Sequence, residues 1–175
     1  MLVKINGAAV QGIDAISVVI EVLVGKGFNC TIVGLPDTAV KESYPRIMSA
    51  IRQCGIDFPR RDIVINLSPA DIKKEGSAYD LPMAVGILAG NENIKSEKLG
   101  RYMIMGELSL DGSVLPIKGV LPMAIKAREE HLDGIIVPKA NVMEAAVVNR
   151  LNVYGVENIL EVIGFFNEAI DLQPT

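Results

Sequence analysis

The chain lacks tryptophan and carries one histidine (His131) and two cysteines (Cys30 and Cys54) among its 175 residues. These scarcities exclude several chemistries. Two lone cysteines and a single histidine supply neither the paired spacing of a zinc site nor a disulfide framework. Such usage fits a reducing compartment, and a cytoplasmic location is the expectation. A Ser-His-Asp triad would have to run through His131, which lies in "REEHLDG" at the end of a charged helix. There a solvated side chain favoured by the helix dipole is the plainer reading.

Long apolar runs are missing too. "AISVVIEVLV", Ala15 to Val24, falls short of the roughly 20 residues that a bilayer span needs, and the N-terminus has no signal-peptide pattern, so no membrane partner is expected. There is no excess of positive charge: 17 Lys and Arg stand against 21 Asp and Glu, a net charge of −4. Any contact with DNA must therefore be local. Neither G-x-x-x-x-G-K-[ST] nor a G-x-G-x-x-G after a strand occurs. The chain by itself is expected to hold no nucleotide cofactor and no metal, and to hydrolyse no ATP.

What is present is a half-apolar composition that suits one self-sufficient domain over residues 1–175. "ISVVIEVLV" and "FNCTIVGL" read as strands, with "GKG" (Gly25 to Gly27) as hairpin chemistry between them. From Thr38 to Cys54, Val40, Tyr44, Ile47, Met48 and Ile51 recur at helical spacing. Asp37 or Thr38 would cap that helix, Gly55 would stop it, and Pro45 should kink or restart it. "DIVINLSPAD" is a buried strand running into a loop, and a helix follows through "LPMAVGILAG" with Asp80 as N-cap and Pro82 in its first turn. The second half alternates: a strand and an Asp111-Gly112 hairpin in "RYMIMGELSLDGSVLPI", a helix from about Lys118 to Glu130, and the strand "GIIVP". A short helix opened by an Asn141 and Glu144 capping pair, a strand near Val153 and a last helix from Asn158 complete it. The fold expected is mixed α/β without internal repeats.

Two groups of side chains invite a function. In "KKEGSAYDLPMA", Ser77 stands beside a glycine at a helix entrance, and a Ser-Lys dyad would need a lysine of lowered pKa, for which Lys118 and Lys126 are available. The plainer reading is a loop hydroxyl bonded to local backbone and two solvated lysines. Arg52, Arg60, Arg61, Lys73 and Lys74 form the second group, a small positive patch suited to phosphates, although "PRRD" carries its own carboxylate, Asp62. The methionines Met83, Met103, Met105 and Met123 sit among aliphatics and read as core filler.

Three stretches, "VGLPDTAVKES", "NLSPADIKKEGSAYDLPMAVGIL" and "GELSLDGSVLPIKGVLPMA", in this order and spacing resemble the N-terminal domain of the Mg-chelatase-like AAA+ ATPases, the ComM/YifB family. The resemblance covers nearly the whole chain. It implies that an AAA+ module, which would hold ATP and Mg, follows downstream, and that the parent works as a homo-oligomeric ring, expected to be a hexamer, remodelling DNA in branch migration during transformation and recombination. The domain is also similar to the proteolytic domain of Lon, a fold shared with a GHMP kinase domain and with the second domain of ribosomal protein S-five.

In Lon the nucleophile lies in D-G-P-S-A-G, and the lysine lies in the helix after G-E-x-x-L-x-G-x-V-L-P-I-G-G. Gapless placement of Glu75-Gly76 on the first motif puts Ala78 at the serine, and "GELSLDGSVLPIKG" on the second puts Met123 at the lysine. The resemblance thus implies a site without its catalytic pair, and a non-catalytic accessory domain. The alternative is a Ser-Lys hydrolase using Ser77 and Lys126, one turn beyond Met123, and a third reading is a bare oligomerisation module.

Overall fold

The structure, a computed structural model, describes residues 1–175. Its centre is a long antiparallel hairpin of β1 (Leu2–Gln11) and β2 (Asp14–Gly25), in which Ile5 faces Ile20 and Gln11 faces Asp14. Around it a seven-stranded mixed sheet runs in the order β3-β4-β2-β1-β5-β8-β9. The outer strands are β3 (Cys30–Val33) and β4 (Asp62–Ser68) on one side, and β5 (Tyr102–Ile104), β8 (Gly134–Pro138) and β9 (Asn152–Val156) on the other. Only the β1–β2 and β2–β4 pairings of this sheet are antiparallel. The hairpin expected at "GKG" does not exist: β2 and β3 lie either side of β4, and β3 pairs with β4 in parallel. The local turn signal is real, but the apolar β4 wins the place beside β2, as tertiary packing commonly overrides local chemistry.

The helical run after Asp37 splits in two. α1 (Thr38–Lys41) is capped by Asp37, whose side chain accepts from the Val40 amide. α2 (Ser43–Gln53) then starts afresh with Pro45 in its first turn, where a missing N–H costs nothing, and stops before Gly55 in the left-handed region. α3 (Asp80–Gly90) is buried at every residue, as expected of a helix apolar all round, and it lies across β1 and β2. The close approach depends on Gly86, where an added Cβ would sit 2.4 Å from a Val22 methyl.

A small hairpin of β6 (Glu107–Leu108) and β7 (Val114–Leu115), turning at Asp111-Gly112, leads into α4 (Val120–Glu129) on the opposite face of the β1–β2 hairpin. The short α5 (Val142–Ala145) follows, and α6 (Ile159–Phe166) opens at the Asn158 cap, as its sequence indicates. Asn141 caps nothing with its oxygen. It instead brackets Ile117, accepting from that residue's N–H and donating to its C=O, while its amide also donates to Glu144. No helix is long and apolar enough to cross a membrane.

Candidate functional site

The loop from Lys74 to Ala78 is tied down at each step. Lys74 and Leu35 to Asp37 form a short parallel bridge, with the Lys74 N–H donating to Leu35 O and the Asp37 N–H to Lys74 O. The second carboxylate oxygen of Asp37 accepts from the Gly76 N–H at 3.1 Å, so one side chain fixes both the start of α1 and the glycine of the loop. Gly106 N–H donates to Ala78 O, and Leu81 N–H donates to Gly106 O, which fastens the loop's far end ahead of β6.

Asp80 does not cap α3 as expected; Tyr79 holds that position and Asp80 is the first helical residue. Its carboxylate is fully buried and accepts from Arg46 Nε at 2.8 Å, Arg46 Nη2 at 3.0 Å and the Leu108 N–H at 3.0 Å. This bidentate hydrogen bond is the chief reason that the Arg46 guanidinium is held above its usual pKa. One ion pair thereby joins α2, the entrance of α3 and the β6–β7 hairpin. Sequence reasoning missed the pair, although a carboxylate heading a helix with no polar face had to find a buried partner.

A cavity of about 610 Å³ opens beside this loop, with Ala78 and Met123 both in its wall. β1 supplies Ala8 to Gln11, and Lys73, Glu75 and Lys118 add charge. Met1 and Val24 exchange both backbone bonds, so along β1 the odd residues bond to β2 and the N–H and C=O of Ala8 and Val10 face the other way. The Ala8 C=O accepts from the Tyr79 hydroxyl at 3.1 Å, and burial, with Asp37 and Glu75 adding to it, raises the phenol's pKa. The cavity combines a strand edge, a fixed glycine loop and a helix start. At Ala78 and Met123 its wall offers a methyl group and a thioether, neither of which exchanges a proton.

Ser77 belongs to a smaller adjoining cavity of about 290 Å³, which it shares with Lys118, Pro116 and Ile117. Lys126 lines neither space. Its Nζ lies 3.6 Å from carboxylate oxygens of both Glu129 and Glu130, one helical turn away. His131 ends α4 in the left-handed region, on the surface.

The basic cluster divides. Arg52, Arg60 and Arg61 come together in a cleft of about 680 Å³, with Asp57, Phe58 and Asn91 among its lining. Lys73 belongs to the Ala78 cavity, 3.7 Å from Glu75. Lys74 is removed from the patch altogether: it has 0% exposure and its ammonium donates to Gly34 O at 2.7 Å and to Pro69 O. Burial lowers its pKa, and its role is to knit two loops rather than meet phosphate.

The family model described as "Subunit ChlI of Mg-chelatase" matches residues 20–141. The chain belongs to this Mg-chelatase-like family. Among its relatives, competence protein ComM of Haemophilus influenzae is 36% identical over 167 residues, covering 95% of this chain and 33% of the relative. The protein YifB of Escherichia coli is 40% identical over 146 residues, 83% of this chain and 29% of the relative. Lon protease of Brevibacillus choshinensis is 31% identical over 175 aligned residues, 93% of this chain and 22% of the protease. The chain thus spans about a third or less of the relatives it matches, and its mixed sheet is a Lon-like fold within the Mg-chelatase-like family.

Proposed function

We propose that this chain is a non-catalytic, Lon-like accessory domain of a ComM-type Mg-chelatase-like AAA+ ATPase, contributing assembly and DNA contact to DNA remodelling. The observation that carries the reading is the pairing of Ala78 and Met123 on one cavity, where similarity to Lon leads one to look for a serine and a lysine. Alanine has no nucleophilic atom and a thioether cannot serve as general base, so acyl transfer has no route through these positions. ATP and Mg belong, on this reading, to the motor module, which carries the phosphate loop that residues 1–175 do not. The competence role named for the Haemophilus relative supports branch migration of incoming DNA as the parent's task.

DNA contact falls to the cleft of Arg52, Arg60 and Arg61. Each neutralised phosphate contributes about −0.9 to the slope of log affinity against log salt on duplex DNA, so this cleft gives a shallow slope for one copy. In a ring of such domains, effective concentration raises a weak contact to a useful one without new interactions. The test is a salt titration of the chain, and of the longer parent, with Arg60 and Arg61 both changed to alanine. The slope falls by about 2 in magnitude if both arginines meet phosphate. An unchanged slope in both proteins removes DNA contact from this cleft and reduces the domain to assembly.

A further inference from the structure

The chain has four phenylalanines and four tyrosines, and of these Phe28 alone is exposed, at 83%. It sits on the tip Lys26-Gly27-Phe28 between β2 and β3, and the tip is not a loose one. The Asn29 N–H donates to Asp62 Oδ1 at 3.0 Å, and the Ile63 N–H donates to Asn29 O at 2.7 Å. Gly25 is the register partner of Asp62 at the end of the β2–β4 ladder. Gly27, at φ +132°, lies so close to Asp62 that a Cβ there would be 2.9 Å from the carboxyl carbon. The aromatic tip is therefore fastened to Asp62, which directly follows Arg60 and Arg61 in the chain, both of which line the arginine cleft.

An exposed ring on a tip fastened to the residue that follows two cleft arginines has a specific chemical complement. Single-stranded nucleic acid offers unstacked base faces for the ring and a phosphate track for the arginines. A duplex offers only the phosphates, because its base faces are already stacked on one another. Asp62 is engaged by the Asn29 amide, and within the cleft Asp57 stands against Arg52, Arg60 and Arg61, which leaves positive charge in excess.

We propose that the Gly25–Asn29 tip and the arginine cleft form a single-stranded DNA site, with Phe28 stacking on a base and Arg52, Arg60 and Arg61 taking the adjoining phosphates. This rests on the reading that the domain contacts DNA, and it adds which form of DNA and which side chain selects it.

The absence of tryptophan makes the test direct, since Phe28→Trp introduces the only indole in the chain. The probes are oligo(dT) and a blunt-ended mixed-sequence duplex. Oligo(dT) quenches the introduced indole and the duplex leaves it unquenched. In the parent sequence Phe28→Ala weakens oligo(dT) binding about tenfold while duplex binding stays the same, whereas Arg60→Ala with Arg61→Ala weakens both. If both DNAs bind and Phe28→Ala changes neither, the stacking proposal is overturned while DNA contact stands. If neither DNA binds, the stacking proposal and DNA contact fall together. Indole emission that shifts with protein concentration in the absence of DNA, and not with oligo(dT), marks Phe28 as a contact between copies and overturns the proposal as well.

Discussion

Replacing Arg46 by alanine strips the Asp80 carboxylate of two of its three donors and leaves a fully buried charge held by the Leu108 N–H alone. Removing one partner of a buried ion pair costs about 3–5 kcal/mol, because the remaining charge is neither solvated nor neutralised. For a domain of this size each kcal/mol lowers the melting temperature by about 2–4 °C, so the expected fall is roughly 6–20 °C. Urea denaturation followed by far-UV circular dichroism, with a thermal scan beside it, measures both quantities. A second variant isolates the cause. Arg46→Met combined with Asp80→Leu removes both charges and recovers part of the loss, leaving about 1–3 kcal/mol because the Leu108 N–H then loses its acceptor. If Arg46→Ala costs less than about 1 kcal/mol, the pair is not the clamp between α2, α3 and the β6–β7 hairpin described above.

Two further outcomes follow from buried groups. Burial first, and then the Asp62 charge, push the Cys30 thiol from 9.0 up to about 11, so iodoacetamide alkylates it far more slowly in the folded chain at pH 8 than in urea. Because the folded state keeps this proton longer, the thiol's stabilising contribution is full below about pH 9 and is lost as the pH rises through about 11, which a denaturation series over that window checks. Equal alkylation rates in the folded and unfolded chain would contradict the burial of this thiol. Lys74→Ala costs about 1.5–3 kcal/mol through loss of charge-assisted hydrogen bonds to Gly34 and Pro69, and it leaves the salt slope of DNA binding unchanged. A slope reduced by about 0.9 would instead put Lys74 on a phosphate.

The parts of this fold that were legible in the sequence are those where local chemistry and tertiary packing agree. Pro45 restarts a helix because its ring fits only a first turn, and Asn158 caps α6 because its side chain reaches the Glu161 amide. The resemblance to Lon pointed to Ala78 and Met123, and the structure brings both to the wall of one cavity. Where partners are distant, the sequence misleads. The "GKG" turn looks like a hairpin because nothing local reveals that β4, some 40 residues later, inserts beside β2. β1 gives a weak strand signal since Gly7, Ala8 and Ala9 lack the branched side chains that mark strands, and it is recruited by its pairing with β2. Lys74 reads as a surface cation because lysine nearly always is one, and its two carbonyl acceptors come from separate segments. Arg46 and Asp80 lie 34 positions apart on different helices, and no periodicity links them.

The central claim is that a Lon-like fold here operates without proteolytic chemistry, and the most direct measurement is labelling of the folded chain with a fluorophosphonate serine probe, scored by intact mass, alongside casein turnover. The account predicts no labelled species and no turnover, because Ala78 offers no hydroxyl at the cavity and Met123 no base. Stoichiometric labelling that disappears, together with casein cleavage, in Ser77→Ala would contradict it and establish a hydrolase built on Ser77.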